Sequence, residues 1–157
     1  MGSRGATIDA AFERVYTAEF AGVARLAYLL VRSRAVAEEL AQDAFLRLYQ
    51  HFDTVEAPAG FLRTAVVRLA LTWLGRADME RDRLSRLGRD PVVEAPELDE
   101  TWLALGRLHP DRRVVLVLRF YAQMRSVEIA GVLGCSAATV RSRARRALAD
   151  LREELDR

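Results

Sequence analysis

In the stretch Ser126-Val-Glu-Ile-Ala-Gly-Val-Leu-Gly-Cys-Ser-Ala-Ala-Thr-Val-Arg-Ser-Arg-Ala-Arg-Arg-Ala-Leu148, two helical patterns meet at a glycine. Ile129 and Leu133 are spaced to face one core, and Ala130 is small enough for a second helix to cross closely. Gly134 stands where the first helix must stop, because a left-handed residue at a helix end is easiest for glycine. Ser136 follows as a natural N-cap, and Val140 is placed to pack back on the first helix. This order of small residue, glycine and returning apolar residue predicts a helix-turn-helix.

At 100° per residue, Val140, Ala144, Ala147, Leu148 and Leu151 gather on one arc of the second helix. Ser142, Arg145 and Arg146 face away from it, with Arg141 and Arg143 on the flanks. Ala137, Ala138 and Thr139 make a small first turn. A recognition helix enters the major groove by its N-terminal residues, so small side chains there permit close approach. Arginines in the next turns can pair with guanine edges or phosphates. A merely solvated basic face is the competing reading, and the turn motif favours DNA over it. Cys135, after the turn glycine, is expected to be structural, because a free cysteine behaves as a small hydrophobe. His109, before Pro110, is expected to cap a helix or lie exposed.

Charge extends this pattern outward. The 157 residues carry 24 basic and 22 acidic side chains, net +2, and every basic residue is arginine. Arginine is a planar fork suited to phosphate and guanine. By segment, residues 1–60 are net −2, 61–90 net +3, 91–111 net −4, 112–146 net +7 and 147–157 net −2. Two basic blocks separated by an acidic one imply two polyanion-facing surfaces. The acidic block, with Glu94, Glu97, Asp99 and Glu100, is a candidate for restraining indiscriminate DNA binding. A single cysteine excludes an internal disulfide and a cysteine-cluster metal site. The histidines, His51 and His109, are too far apart in sequence to suggest a zinc pair or a catalytic dyad. The longest apolar run is far too short for a bilayer, and the N-terminus lacks a signal pattern, so no secretion is expected. No nucleophile–base pair, metal cluster or phosphate loop is visible, so neither an enzyme nor a cofactor is expected.

Apolar content of 51% supports a buried core, and the pattern reads as helix almost throughout. Helices are expected over residues 8–18, 20–31 and 34–52, the last capped by Ser33. After a loop at 53–58, Pro58 suits the first turn of a long helix reaching residue 87. Further helices are expected over 97–108, 110–121, 127–133 and 137–155. Residues 88–96, with a glycine and two prolines, read as a linker. The fold class is therefore all-α: two small helical domains, 1–87 and 97–157, joined by that short linker. On the 34–52 helix the expected buried stripe is Ala37, Ala41, Ala44, Phe45, Leu48 and Phe52. Its polar face carries Glu39, Gln42 and Asp43 with Leu46 among them. The residues alone leave two readings open: a docking face, or an acidic surface with one stray leucine. On the next helix Leu62, Val66, Leu69 and Trp73 form the expected stripe, which makes Trp73 core rather than a stacking platform.

Asp111-Arg-Arg-Val-Val-Leu-Val-Leu-Arg-Phe-Tyr121, then Ser126-Val-Glu-Ile-Ala130 and Thr139-Val-Arg-Ser-Arg143, resemble region 4 of the extracytoplasmic-function (group IV) RNA polymerase sigma factors. The resemblance implies a reader of the −35 promoter element. By position, Thr139, Arg141, Ser142, Arg145 and Arg146 would meet the groove, and Arg112, Arg113 and Arg119 the backbone phosphates. It also implies docking on the flap of the polymerase β subunit. Ala37-Glu-Glu-Leu-Ala-Gln-Asp-Ala-Phe-Leu-Arg-Leu-Tyr49 resembles sigma region 2.2, which binds the β′ clamp helices. Glu39, Leu40, Gln42, Asp43 and Leu46 would make that contact. Phe61-Leu-Arg-Thr-Ala-Val-Val-Arg-Leu-Ala-Leu-Thr-Trp-Leu74 resembles regions 2.3 and 2.4, which melt and hold the −10 element. Arg63, Arg68, Arg76, Arg81 and Arg83 would then be phosphate contacts, and residues 52–59 the base-capturing loop.

One residue departs from the family pattern. Arg68 stands where asparagine is common, and arginine there prefers phosphate or guanine to an adenine edge. The resemblance implies a cytoplasmic transcription initiation factor without catalytic residues. It would bind core RNA polymerase and promoter DNA, be held by an anti-sigma factor, insert in no membrane and take no small-molecule substrate. The alternative is a stand-alone helix-turn-helix regulator that binds DNA without acting as a sigma subunit. Such a protein needs a sensing or dimerising half, and residues 1–87 offer neither a ligand pocket nor a phosphoacceptor pattern.

Overall fold

The structure, a computed structural model, describes residues 2–84 and 99–157, of which residues 77–84 are described in backbone only. These residues are helical, with no strand among them, and fall into two compact units. The expected linker at 88–96 and the expected helix start at Glu97 lie outside the described residues.

The first unit is a three-helix bundle of α1 (Gly2–Val31), α2 (Arg34–Gln50) and α3 (Pro58–Leu84), each packed on the other two. The two helices expected over 8–18 and 20–31 are one. No proline lies between them, and Gly22 sits exposed mid-helix, where it weakens but does not stop a helix. The last turns of α1 are buried all round by Leu26, Ala27, Tyr28, Leu29, Leu30 and Val31. The chain then turns at Arg32, which is left-handed (φ 61) and sends its amide to the Tyr28 carbonyl at 2.8 Å. Its guanidinium lies 5.3 Å from the centre of the Tyr28 ring, within reach of a cation–π attraction.

Ser33 caps α2 as expected, its Oγ accepting the Val36 amide. Ala37, Ala41 and Ala44 are buried and let α2 lie close to its neighbours, while Phe45 and Leu48 fill the space between. Leu40 joins this stripe at 8% exposure, which removes it from the expected polymerase-facing set. Leu40 follows Ala37 by three residues and precedes Ala44 by four, so it shares their face. On α3, Leu62, Ala65, Val66, Val67, Ala70 and Leu74 are buried. The stripe is thus rotated from the expected one, leaving Leu69 and Trp73 half-buried.

The second unit contains α4 (Glu100–Arg107), α5 (Pro110–Leu116), a π turn (Val117–Tyr121), α6 (Ser126–Leu133) and α7 (Ala137–Asp156). Asp99 caps α4 through the Trp102 amide, and His109 caps α5, its Nδ1 accepting the Asp111 amide at 3.3 Å. Asp99 therefore serves a helix end. The helix expected over 110–121 changes pitch at Val117: the Ala122 amide reaches back five residues to the Val117 carbonyl. A π turn inserts an extra residue in the helical register. Here it accompanies Val117 and Leu118 inside and Arg119 and Phe120 outside. Beneath α7, Leu105, Leu108, Leu116 and Ala147 form a buried cluster, with Trp102 and Leu151 packed against it.

Candidate nucleic-acid and polymerase interface

The turn between α6 and α7 has the geometry its residues predict. Gly134 is left-handed (φ 69, ψ 37), and the amides of Gly134 and Cys135 both reach the Ala130 carbonyl, at 2.9 and 3.1 Å. Ser136 Oγ accepts the Thr139 amide at 3.1 Å and lies 2.9 Å from the Thr139 hydroxyl. Ile129 and Val140 are fully buried against each other's helices. Cys135 is half-buried.

With Val140 and Ala147 directed inward, Arg141, Arg143, Arg145 and Arg146 are exposed on α7. Thr139 and Ser142 are half-buried beside them. Among the described residues none of these four arginines forms an ion pair. Four unneutralised guanidiniums within six residues, next to an alanine-rich first turn, form a surface that attracts phosphate and admits a groove.

The expected backbone contacts of this unit divide. Arg113 does not belong among them. It is 3% exposed, and its guanidinium donates to the Leu108 carbonyl at 3.2 Å, the residue that ends α4. Position in the motif suggested a phosphate contact, but the α5 face that carries Arg113 is the buried one. Arg112 is half-buried and pairs with Asp150 at 3.3 Å, tying α5 to α7. Arg119 is exposed and donates to the Ser126 hydroxyl at 2.5 Å, bridging the π turn to the start of α6.

In the first unit, Arg68 and Arg76 are exposed on α3 and Arg63 is half-buried. Helical geometry sets Arg63 and Arg68 about 140° apart around the axis, so the three do not share one stripe. The side chains of Arg81 and Arg83 lie outside the described residues. The loop before α3 is folded on one acceptor: the His51 carbonyl takes the Thr54 amide and hydroxyl and the Val55 amide, at 2.9–3.1 Å. Asp53, Thr54 and Glu56 are exposed there, while Phe52 packs edge-on against Phe12 of α1.

On α2, Glu39, Gln42 and Asp43 are exposed and Leu46 is 57% exposed. Sequence reasoning stopped at Leu46. Tyr49, three residues on, is 49% exposed, and its hydroxyl donates to Asp9 Oδ1 of α1 at 3.0 Å. That hydrogen bond, with the Asp9 charge and slight desolvation, raises the Tyr49 phenol above its usual value of 10.0. The three-residue spacing from Leu46 was a signal for Tyr49; nothing local pointed to Asp9.

The fold and these faces define a two-unit helical protein with a helix-turn-helix reader and a separate acidic–apolar helix face. Residues 15–79 match the family model of sigma-70 region 2, and residues 98–151 that of sigma-70 region 4. The RNA polymerase sigma-E factor of Streptomyces coelicolor is 36% identical over 138 residues, covering 83% of this chain and 78% of that protein. A probable RNA polymerase sigma factor, RfaY, of Xanthomonas campestris pv. campestris is 33% identical, covering 92% of this chain and 40% of its own length. Among solved structures, the sigma factor RpoE of Bartonella quintana, in complex with the anti-sigma factor NepR, shares the fold with TM-score 0.73 and 21% identity, over 93% of this chain and 97% of that one. The chain belongs to the sigma-70 family of RNA polymerase sigma factors, in its extracytoplasmic-function group. It acts in transcription initiation with RNA polymerase and is not an enzyme in its own right. Matches to both regions separate it from stand-alone helix-turn-helix regulators. Among the described residues no helix is long and apolar enough to cross a membrane.

Proposed function

We propose a division of labour between the units. Residues 1–87 dock on core polymerase through Glu39, Gln42, Asp43 and Leu46 of α2 and hold −10 DNA with Arg68 and Arg76 of α3. Residues 97–157 read the −35 element through Thr139, Arg141, Ser142, Arg145 and Arg146, with Arg119 on a phosphate. The observation that carries this reading is the set of exposed, unpaired arginines on α7 opposite the buried Val140 and Ala147. Two weak DNA contacts joined by a linker gain specificity because each raises the effective concentration of the other. Arg68 in place of asparagine favours a phosphate or guanine contact in the −10 region. A cytoplasmic location and control by an anti-sigma factor follow from the same reading, the latter supported by the complex formed by the Bartonella relative.

Run-off transcription with purified chain and bacterial core polymerase tests this. Promoter-specific transcripts are expected. Specific DNA binding without polymerase, and no transcript from any genomic fragment, would overturn it.

A further inference from the structure

Three large side chains of the first unit are exposed: Tyr16 of α1, and Leu46 and Tyr49 three residues apart on α2. Phe12 of α1 joins the two tyrosines: its ring centre is 6.5 Å from Tyr16 and 5.1 Å, edge to face, from Tyr49. Beneath them Phe45 is buried, 4.8 Å from Tyr16 and 6.3 Å from Phe12. The aromatic wall therefore has a buried back and a wet front. Asp9 of α1 accepts the Tyr49 hydroxyl and fixes the outer ring on Phe12. Asp9 and Glu13 of α1 and Glu39 and Asp43 of α2 are exposed, as are Arg14 and Arg47, so the exposed charge on these helix stretches is predominantly acidic. An amphipathic ring held at low entropic cost is the kind of group that anchors protein interfaces.

We propose that Tyr49, held in place by Asp9 of α1, is a polymerase-binding residue, and that the docking face runs from Asp43 across Leu46 to Tyr49 and Tyr16. The occupant is core RNA polymerase, through a surface that pairs apolar side chains with basic ones. This deepens the docking reading given above and rests on it. Tyr49 supplies the contact. Asp9 is a positioning residue, and α1 enters the interface through it rather than only supporting α2.

The test is equilibrium binding of the full chain to core polymerase, with melting curves in parallel. Tyr49→Ala is expected to weaken binding roughly tenfold or more, as an aromatic anchor does. Asp9→Ala and Tyr49→Phe each remove one exposed hydrogen bond, and each is expected to weaken binding roughly threefold. The double variant should be no weaker than either single change, because both remove the same bond. Melting temperatures should stay close to the parent, since both side chains are exposed. Loss of binding in Leu46→Ala with parental affinity in Tyr49→Ala would overturn this inference and leave the docking reading standing. No binding by the parent chain would overturn both. A concentration-dependent dimer of the parent that Tyr49→Ala abolishes, with polymerase affinity unchanged, would assign the wall to a second copy and overturn it as well.

Discussion

Helices α2 and α7 are both amphipathic and each carries the exposed face proposed above to meet a partner, yet they are held in different ways. Of the 17 residues of α2, Ala37, Leu40, Ala41, Ala44, Phe45 and Leu48 are buried, clamped between α1 and α3. Of the 20 residues of α7, only Val140 and Ala147 are buried, although α4, α5 and α6 all touch it. A docking helix needs a face of fixed shape, and a two-sided core supplies that. A groove-reading helix must stand clear of its own domain, so few side chains can hold it. The second unit makes up the difference with polar fastenings: the Arg112–Asp150 pair, the Arg113 bond to the Leu108 carbonyl, and the capped turn at Gly134 and Ser136.

The sharpest way to break this comparison is to disturb the two cores. Leu48→Ala should cost about 2–5 kcal/mol of first-unit stability, the range for removing a buried leucine. Ala147→Leu adds volume where Leu105, Leu108 and Leu116 already meet and should cost about 1–3 kcal/mol in the second unit. Residue-resolved hydrogen exchange reads both. A larger loss for Ala147→Leu than for Leu48→Ala would mean that α7 is the more tightly clamped helix.

Next in size are the arginines. Arg113→Ala should destabilise the second unit by about 1.5–3 kcal/mol, as loss of a buried charged hydrogen bond does, and leave the salt slope of promoter binding unchanged. Arg145→Ala and Arg146→Ala should do the reverse: stability within about 0.5 kcal/mol, with the slope of log affinity against log salt reduced by roughly one each. If Arg113→Ala lowered the slope and left melting untouched, its burial would be wrong.

The smallest effect belongs to Tyr49. Its phenol is raised above 10.0 by Asp9, so the neutral form is the one that donates. The sign follows: the contribution of the bond is full below the unfolded value and is lost as pH climbs through the raised folded one. Ultraviolet titration should show one tyrosine ionising later in the parent than in Asp9→Ala. Identical curves would show that the bond does not persist in solution.

Much of the fold was legible because its signals are local. Ser33, Pro58, His109, Gly134 and Ser136 act through their own backbone neighbours, and each stands where its chemistry placed it. The outward set on α7 was legible for the same reason, since helical period alone separates Arg145 and Arg146 from Val140 and Ala147. Leu40 and Arg113 were misplaced because family position outranked period. The break expected within α1 rested on a weak change of pattern with no stop signal behind it. Nor does any local residue type announce the π turn at Val117–Tyr121.

The sequence by itself determined an all-helical chain with a helix-turn-helix, two basic segments and an acidic helix face, because period, capping and charge are properties of neighbours in the chain. Only the tertiary structure decided which charges are free to meet a partner. Arg112, Arg113 and the arginines of α7 are alike as residues. They differ in whether Asp150, the Leu108 carbonyl or water surrounds them. Asp9 and Tyr49, forty residues apart, meet only because α1 lies against α2. Coulomb attraction and hydrogen bonding depend on distance through space, and that distance is set by packing.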